Sequence, residues 1–429
     1  MRKSIKILLT ILLSLILTLA AAAALWYWYD THVDRGGWAE SGGVYYYKDF
    51  RGNYVSGWQE IGGNLYYFSP ENHAMATYWQ ELDGKRFYFS GDGTLDTGFW
   101  DIGGKRYYLE PEGPMYTGWL DYEGRRFYFG SDGAMVTSWQ DIDGARYHFR
   151  ENGIMDTGLV RIGGGEYKFL EDGAMYTGWD TLEGEMVYYL PEGPMATRWQ
   201  EIDGKLYYFG SDGVMRTGWL SQGGDQYYLQ ADGSAAVGPT EIDGEMHYFS
   251  PGGIHVILVN ETHPVPSYYT MELKTVEGWN QVSTVCYSAL VRMLADCRQT
   301  GIEVVFNSAY RTIAQQKEIL ELRTKEYEEK GMPYEAAYAK ARETVALPGT
   351  SEHHLGLAVD LLGDEAIAWL NEHCWEYGFI VRYRAEKAEK AEITGIIDEP
   401  WHFRYVGVKV AMELKNSDLC LEEYLGAVE

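Results

Sequence analysis

Cysteine and positive charge are both scarce in this chain. Four cysteines occur among 429 residues, and Cys286, Cys297, Cys374 and Cys420 all fall after residue 285. No C-x-x-C pair is present, so no cysteine-based zinc site is signalled. Cys286 and Cys297 would stand roughly 16 Å apart on one helix, too far to bond to each other. Cross-pairing with Cys374 or Cys420 is open in an oxidising compartment, and free buried thiols are the preferred expectation. Lys and Arg number 36 against 63 Asp and Glu, a formal net charge of −27. That excess excludes nucleic acid and anionic lipid as natural partners.

The chain opens with Arg2, Lys3 and Lys6, then an apolar run from Ile7 to Leu25. This is the pattern of an export signal. Ala20 to Ala24 offers A-x-A cleavage sites, but the run is long enough to span a bilayer, and Trp26, Tyr27, Trp28 and Tyr29 suit a membrane interface. Residues 1–29 are therefore either a cleaved signal peptide or a retained membrane anchor. Either way, the remainder of the chain is expected outside the cytoplasm: at the cell wall, on the outer face of the membrane, or secreted.

Residues 36–253 repeat. Thr77, Thr97, Thr117, Thr137, Thr157, Thr177, Thr197 and Thr217 recur every 20 residues. A tryptophan stands two places later at Trp79, Trp119, Trp139, Trp179, Trp199 and Trp219, with Phe99 and Leu159 as replacements. Each unit reads as a hairpin: a DG or GG turn, an aromatic strand, then a second DG or EG turn leading to a Met and the next Thr-Gly-Trp. A lone hairpin is barely stable in water. Stacked copies bury their aromatics against one another, which predicts a β-hairpin repeat solenoid. Most Tyr and Phe are its core, while rows of ring faces suit sugars or quaternary ammonium groups.

The pattern resembles the choline-binding and glucan-binding repeats of Gram-positive surface proteins. The resemblance implies wall binding through Trp119, Trp139, Trp179, Trp199 and Trp219, with wall glycan or a decorated teichoic acid as partner. One departure accompanies it. Choline-binding units carry a second Trp just before the Tyr pair, where this chain has Arg86, Arg106, Arg126, Arg146, Glu166, Met186 or Leu206.

Residues 254–429 change character. Helical spacing predicts helices over 282–300, 312–330 and 334–345. Short strands fall in IEVVFNSAY, GLAVDLL and WHFRYVGV, and IHVILVNETHPVP reads as a strand leading into the domain. The expectation is an α+β domain with a small antiparallel sheet. Within it, Asp360 interrupts the apolar run GLAVDLL, where a carboxylate is costly without a partner. His353 and His354 precede it as candidate partners. Further on, EPWH places Glu399 three residues before His402. Two imidazoles, one carboxylate and an open fourth position make a catalytic zinc site, and a further glutamate can then deprotonate water. In a plain strand Glu399 and His402 would face opposite sides, so Pro400 must sit at a bend or bulge.

These stretches resemble the VanY-type D-alanyl-D-alanine carboxypeptidases, which carry S-x-H-x-x-G-x-A-x-D and E-x-W-H. Ser351, His353, Gly356, Ala358 and Asp360 match the first motif, and Glu399, Trp401 and His402 the second. The resemblance implies Zn²⁺ held by His353, Asp360 and His402, with Glu399 as general base and His354 at the rim. A third motif, Y-R-S-x-x-x-Q, corresponds to Tyr310, Arg311 and Gln316, with Thr312 in place of Ser. It implies a substrate oxygen held by Arg311, and substrate contacts from Tyr310, Gln316, Ser351 and Trp401. The implied substrate is a peptidoglycan stem peptide ending in D-Ala-D-Ala. An L,D-carboxypeptidase or endopeptidase on the same scaffold, and a non-enzymatic adhesin, are the alternatives.

Overall fold

The computed structural model describes residues 2–32, 36–383, 390–397 and 399–428. Met1 and Glu429, the outer ends of the expected segments, lie outside them. Arg2–His32 forms one helix. Its stretch Lys6–Trp28 has a mean hydropathy of 2.6 and is exposed, and it is long and apolar enough to cross a membrane.

From Gly37–Ser41 to Glu245–Phe249 the chain folds as successive antiparallel hairpins of five-residue strands. The two-residue turns explain the DG and GG dipeptides. Gly62 and Gly63 both have positive φ, as do Asp83 and Gly84, the geometry of a type I′ turn that matches strand twist. Register then sets most of these Trp residues opposite a Tyr, as in Trp119↔Tyr128 and Trp199↔Tyr208, while Trp139 faces His148. The same indole packs on rings of the following unit: Trp119 meets Tyr147 at 4.9 Å and Phe149 at 5.9 Å between centroids. Between units, a methionine lies across a glycine of the next loop. A Cβ on Gly133 would stand 2.2 Å from Met115 Sδ, and one on Gly153 would stand 2.3 Å from Met135 Sδ. Only glycine leaves room for the thioether, which accounts for the paired Gly and Met of the repeat.

The chain divides into two compact units, Met1–Thr177 with Tyr189–Pro194, and Gly178–Tyr188 with Met195–Glu429. The change of sequence character at residue 253 is thus not where the compact units part. Tyr227 and Tyr248 of the last hairpins share one core with Val256, Leu258, Leu290 and Val406 of the α+β portion. Lys409 also reaches Asp225 at 3.2 Å.

In the α+β portion, a four-stranded antiparallel sheet has the order Val305–Ser308, Ala358–Leu362, Glu399–Tyr405, Phe379–Tyr383. Helix Thr284–Gln299 buries Cys286, Leu290, Met293, Leu294 and Cys297, a single stripe at helical spacing. Helix Ile313–Glu329 starts from a capping box in which Thr312 Oγ1 accepts from Gln315 N and the Gln315 side chain accepts from Thr312 N. The three expected helices are present as Thr284–Gln299, Ile313–Glu329 and Tyr334–Arg342. The segment IHVILVNETHPVP supplies only the short strand His255–Val256, which pairs with Tyr248 and Phe249. All four cysteines are buried.

Candidate metal centre and active site

Strand pairing builds the site. Asp360, in the middle of Ala358–Leu362, lies directly opposite His402 of Glu399–Tyr405. Opposed residues share a face of the sheet, and His402 Nδ1 stands 3.1 Å from Asp360 Oδ1. His353 arrives from a 3₁₀ turn, Glu352–Leu355, which begins at Ser351 and stops at Gly356 with φ 64°. Its Nε2 lies 3.3 Å from Asp360 Oδ2. One donor atom from each of His353, Asp360 and His402 lies within 4.8 Å of the others, and all three residues are buried.

The irregularity expected near Pro400 is a register shift. Val381 pairs with Phe403, but Tyr383 pairs with Glu399, so three residues on one strand face one on the other. This bulge turns Glu399 toward His402, with Oε2 3.7 Å from Nδ1. Both side chains line a cavity of about 590 Å³ with Asp360, His353, Ser351, Gln316, Arg311 and Trp401. Tyr310 does not line it; its backbone N–H instead donates to Gln281 O. His354 is also held apart, with Nδ1 2.7 Å from Arg311 O and Nε2 accepting from Gly349 N at 3.1 Å.

Arg311 is fixed on three sides. Its Nε donates to Ser308 Oγ at 2.7 Å, Nη1 to Gln316 Oε1 at 3.3 Å, and Nη2 to Asp360 Oδ2. Gln316 is itself anchored by donating to Ala346 O at 2.9 Å. Thr312, where the resembled motif has Ser, uses its hydroxyl as the helix cap, a task either residue performs.

The donor chemistry fits a divalent cation. His353 Nδ1 donates to Ala309 O at 2.6 Å, which leaves the Nε2 lone pair facing Asp360. His402 Nε2 donates to Glu352 Oε2 at 3.3 Å, which leaves the Nδ1 lone pair facing Asp360 Oδ1. Each imidazole is thus oriented by a backbone or carboxylate acceptor on its far nitrogen, the usual support of a metal-ligating histidine. Burial lowers the His353 pKa to about 4, keeping the ring neutral. Burial also opposes charge on His402, but hydrogen bonds to Asp360 and Glu352 outweigh it and raise the ring to about 9. The donors therefore share either a proton or a cation. Burial pushes Glu399 up to about 7, with the Asp360 charge adding to the rise while His402 and Arg311 oppose it.

Glu352 is a buried partner of His402 that the motifs did not single out. It is fully enclosed, accepting from Arg382 Nε at 2.9 Å and facing Arg404 Nη1 at 3.2 Å. Arg382 continues to Glu422, which accepts from Asn260 Nδ2 at 2.9 Å. A buried line of charge therefore runs from His402 through Glu352 and Arg382 to Glu422. A signal for it exists in the sequence. Arg382 in FIVRY and Arg404 in HFRYV are charges in apolar strands, as Asp360 is, and each needs a buried partner.

Comparison with known proteins accords with this geometry. Residues 280–408 match the VanY D-alanyl-D-alanine carboxypeptidase family model. A bifunctional D-Ala-D-Ala dipeptidase and carboxypeptidase of Enterococcus gallinarum is 38% identical over 144 residues, covering 30% of this chain and 70% of that protein. The chain belongs to the VanY D-alanyl-D-alanine carboxypeptidase family. A D-alanyl-D-alanine carboxypeptidase of Enterococcus faecalis is 40% identical over 177 residues to this VanY-family chain, the match spanning 40% of this chain and 65% of that relative. A Zn(II)-bound structure of a vancomycin-resistance D,D-pentapeptidase, a VanY protein, is 40% identical, covering 39% of this chain and 97% of that one with a TM-score of 0.38. Outside the VanY domain, residues 96–138, 136–178 and 196–237 match a choline-binding repeat model, and 56–71 a putative cell wall binding repeat.

Proposed function

We propose that this chain is a zinc-dependent carboxypeptidase that removes the terminal D-Ala from D-Ala-D-Ala stem peptides of peptidoglycan while its repeats hold it on the cell wall. The convergence of His353 Nε2, Asp360 and His402 Nδ1 beside Glu399 carries this proposal. Zinc held by those three residues would supply a Lewis acid at the scissile carbonyl. Glu399 takes a proton from the attacking water and returns it to the leaving amine of D-Ala. Arg311, held by Ser308 and Gln316, presents its guanidinium to the cavity and steadies a substrate oxygen. Trp401 and Ser351 flank the same space. An N-terminal segment acting as export signal or anchor, residues 1–29, and the wall-binding repeats, residues 36–253, support a location of the domain of 254–429 outside the cytoplasm. A substrate fixed in the wall makes tethering useful, because it raises the local concentration of enzyme.

The test is digestion of purified peptidoglycan and of a soluble stem pentapeptide, with products identified by mass spectrometry. Release of free D-alanine, abolished by chelation and restored by zinc, is the expected result. Cleavage at an L,D bond or within cross-links, or no cleavage at all, would overturn the assignment.

A further inference from the structure

The aromatic rows of the repeats are not equivalent. In the first compact unit, an arginine seven residues on covers the ring at Trp79, Trp119 and Trp139, whereas Trp58 has Leu65 there. Arg86 lies 4.6 Å from the Trp79 ring, Arg126 4.7 Å from Trp119 and Arg146 5.1 Å from Trp139. Asp121 and Asp141 stand beside two of these guanidinium groups, at 3.4 Å and 3.8 Å. These three faces already carry a cation. Trp219, like Trp179 with Met186 and Trp199 with Leu206, has a neutral residue at that position, Gln226. Its indole is 46% exposed and opens on a cavity of about 710 Å³ formed wholly within the second compact unit.

We propose that the cavity beside Trp219 is a saccharide subsite that takes an uncharged N-acetylated sugar of the wall glycan. The proposal rests on the wall-binding role of the repeats and localises it. Three observations select a sugar over a quaternary ammonium group. First, the neighbouring rings meet Trp219 edge-on, His247 at 63° and His255 at 75°. An ammonium cage needs several ring faces turned to one point, whereas one indole platform suits the apolar face of a sugar. Second, the Gln226 amide nitrogen and the Tyr268 hydroxyl line the cavity without a protein partner among the described residues. Donors of this kind serve a hydroxyl or an acetamido carbonyl, and a cation has no use for them. Third, the aromatic walls pack on one another. His247 Nδ1 lies 3.1 Å from His255 Nε2, and its ring stacks on Tyr268 at 4.2 Å. Glu272 adds a carboxylate that disfavours polyanions.

The experiment uses the full chain, with Trp219→Ala, Gln226→Ala and, as comparison, Glu201→Ala. Each is titrated with N-acetylglucosamine tetramer by fluorescence and ligand-observed NMR, and each is pelleted with purified sacculi. Expected is saturable tetramer binding, weakened at least tenfold in both Trp219→Ala and Gln226→Ala and unchanged in Glu201→Ala, an exposed position outside the cavity. Gln226 is exposed, so its variant keeps the test sound if Trp219→Ala unfolds. No tetramer binding by the parent chain, equal binding by all variants, or displacement of the tetramer by millimolar choline would overturn the subsite. Failure of the parent chain to pellet with sacculi, by contrast, would overturn the wall-binding role itself.

Discussion

Replacing Glu352 by Gln isolates the buried partner of His402. The glutamate accepts from His402 Nε2 at 3.3 Å and is held by Arg382 at 2.9 Å, with every one of these side chains buried. Glutamine keeps the shape but brings an NH₂ group that must point at either the imidazole N–H or a guanidinium. Two costs result. Arg404 loses its ionic partner while fully buried, and breaking such a pair costs about 3–5 kcal/mol. Arg382 is cushioned, because Glu422 still binds it through both Nη atoms. His402 also loses the acceptor that fixes its ring, and comparable partners of metal-bound histidines contribute ~10–100-fold in metal affinity. That is about 1.4–2.8 kcal/mol. The expected protein therefore folds with lower thermal stability and holds zinc at least tenfold more weakly. The assay is competition with a chromogenic chelator, alongside melting of the metal-free and zinc-loaded forms. The gain in melting temperature on adding zinc should shrink in the variant. A folded Glu352→Gln protein with zinc affinity within twofold of the parent would refute the orienting role.

Glu399→Gln should keep zinc and lose at least ~10²-fold in turnover, since a positioned general base contributes that order; near-normal kcat would remove Glu399 from the chemistry. His354→Ala should retain zinc but lose about 1–3 kcal/mol of stability, because it strands Gly349 N and Arg311 O without their partner; metal analysis showing zinc lost from this variant and kept in His353→Ala would invert the ligand assignment. Gly356→Ala should destabilise by at least ~1–2 kcal/mol, the cost of a left-handed residue with a side chain, because φ is 64° and the new Cβ would stand 2.9 Å from Ser283 N; an unchanged denaturation midpoint would contradict it. Arg126→Ala should uncover Trp119 and raise choline affinity in fluorescence titration, by roughly the ~0.5–2 kcal/mol of a cation–π contact; a response equal to the parent's would show that the guanidinium does not guard the ring.

Period and motif make much of this molecule readable before its coordinates. The 20-residue spacing of Thr77 to Thr217 marks out the hairpins, because turn dipeptides and aromatic alternation are local signals. The helix starting at Ile313 is equally legible through Thr312 and the apolar periodicity. Strand Phe379–Tyr383 escapes such reading because it is buried along its whole length and shows no alternation. The bulge at Glu399 is demanded by chemistry, since the pattern EPWH alone would separate its two functional groups. Glu352 is hidden because its neighbours in the motif draw attention, while its partners Arg382 and Arg404 come from distant strands. Tyr310 shows the opposite limit, a motif residue that the fold leaves outside the cavity. The sharing of a core by Tyr227, Tyr248 and the α+β domain is likewise a tertiary fact with no local mark.

The methionine laid across a glycine in successive repeats has a genetic consequence. Because Met115 on Gly133 and Met135 on Gly153 make the same joint, excising or duplicating one 20-residue unit recreates a joint already in use. Recombination between segments that encode the same hairpin pattern can therefore lengthen or shorten the array in whole steps, each product keeping the methionine-on-glycine joint. An insertion of a single residue has no such refuge: it would move the thioether off its glycine and flip the next strand's aromatics to the wrong face. Selection on wall thickness or spacing can thus act on repeat number alone, leaving the chemistry of the peptidase untouched.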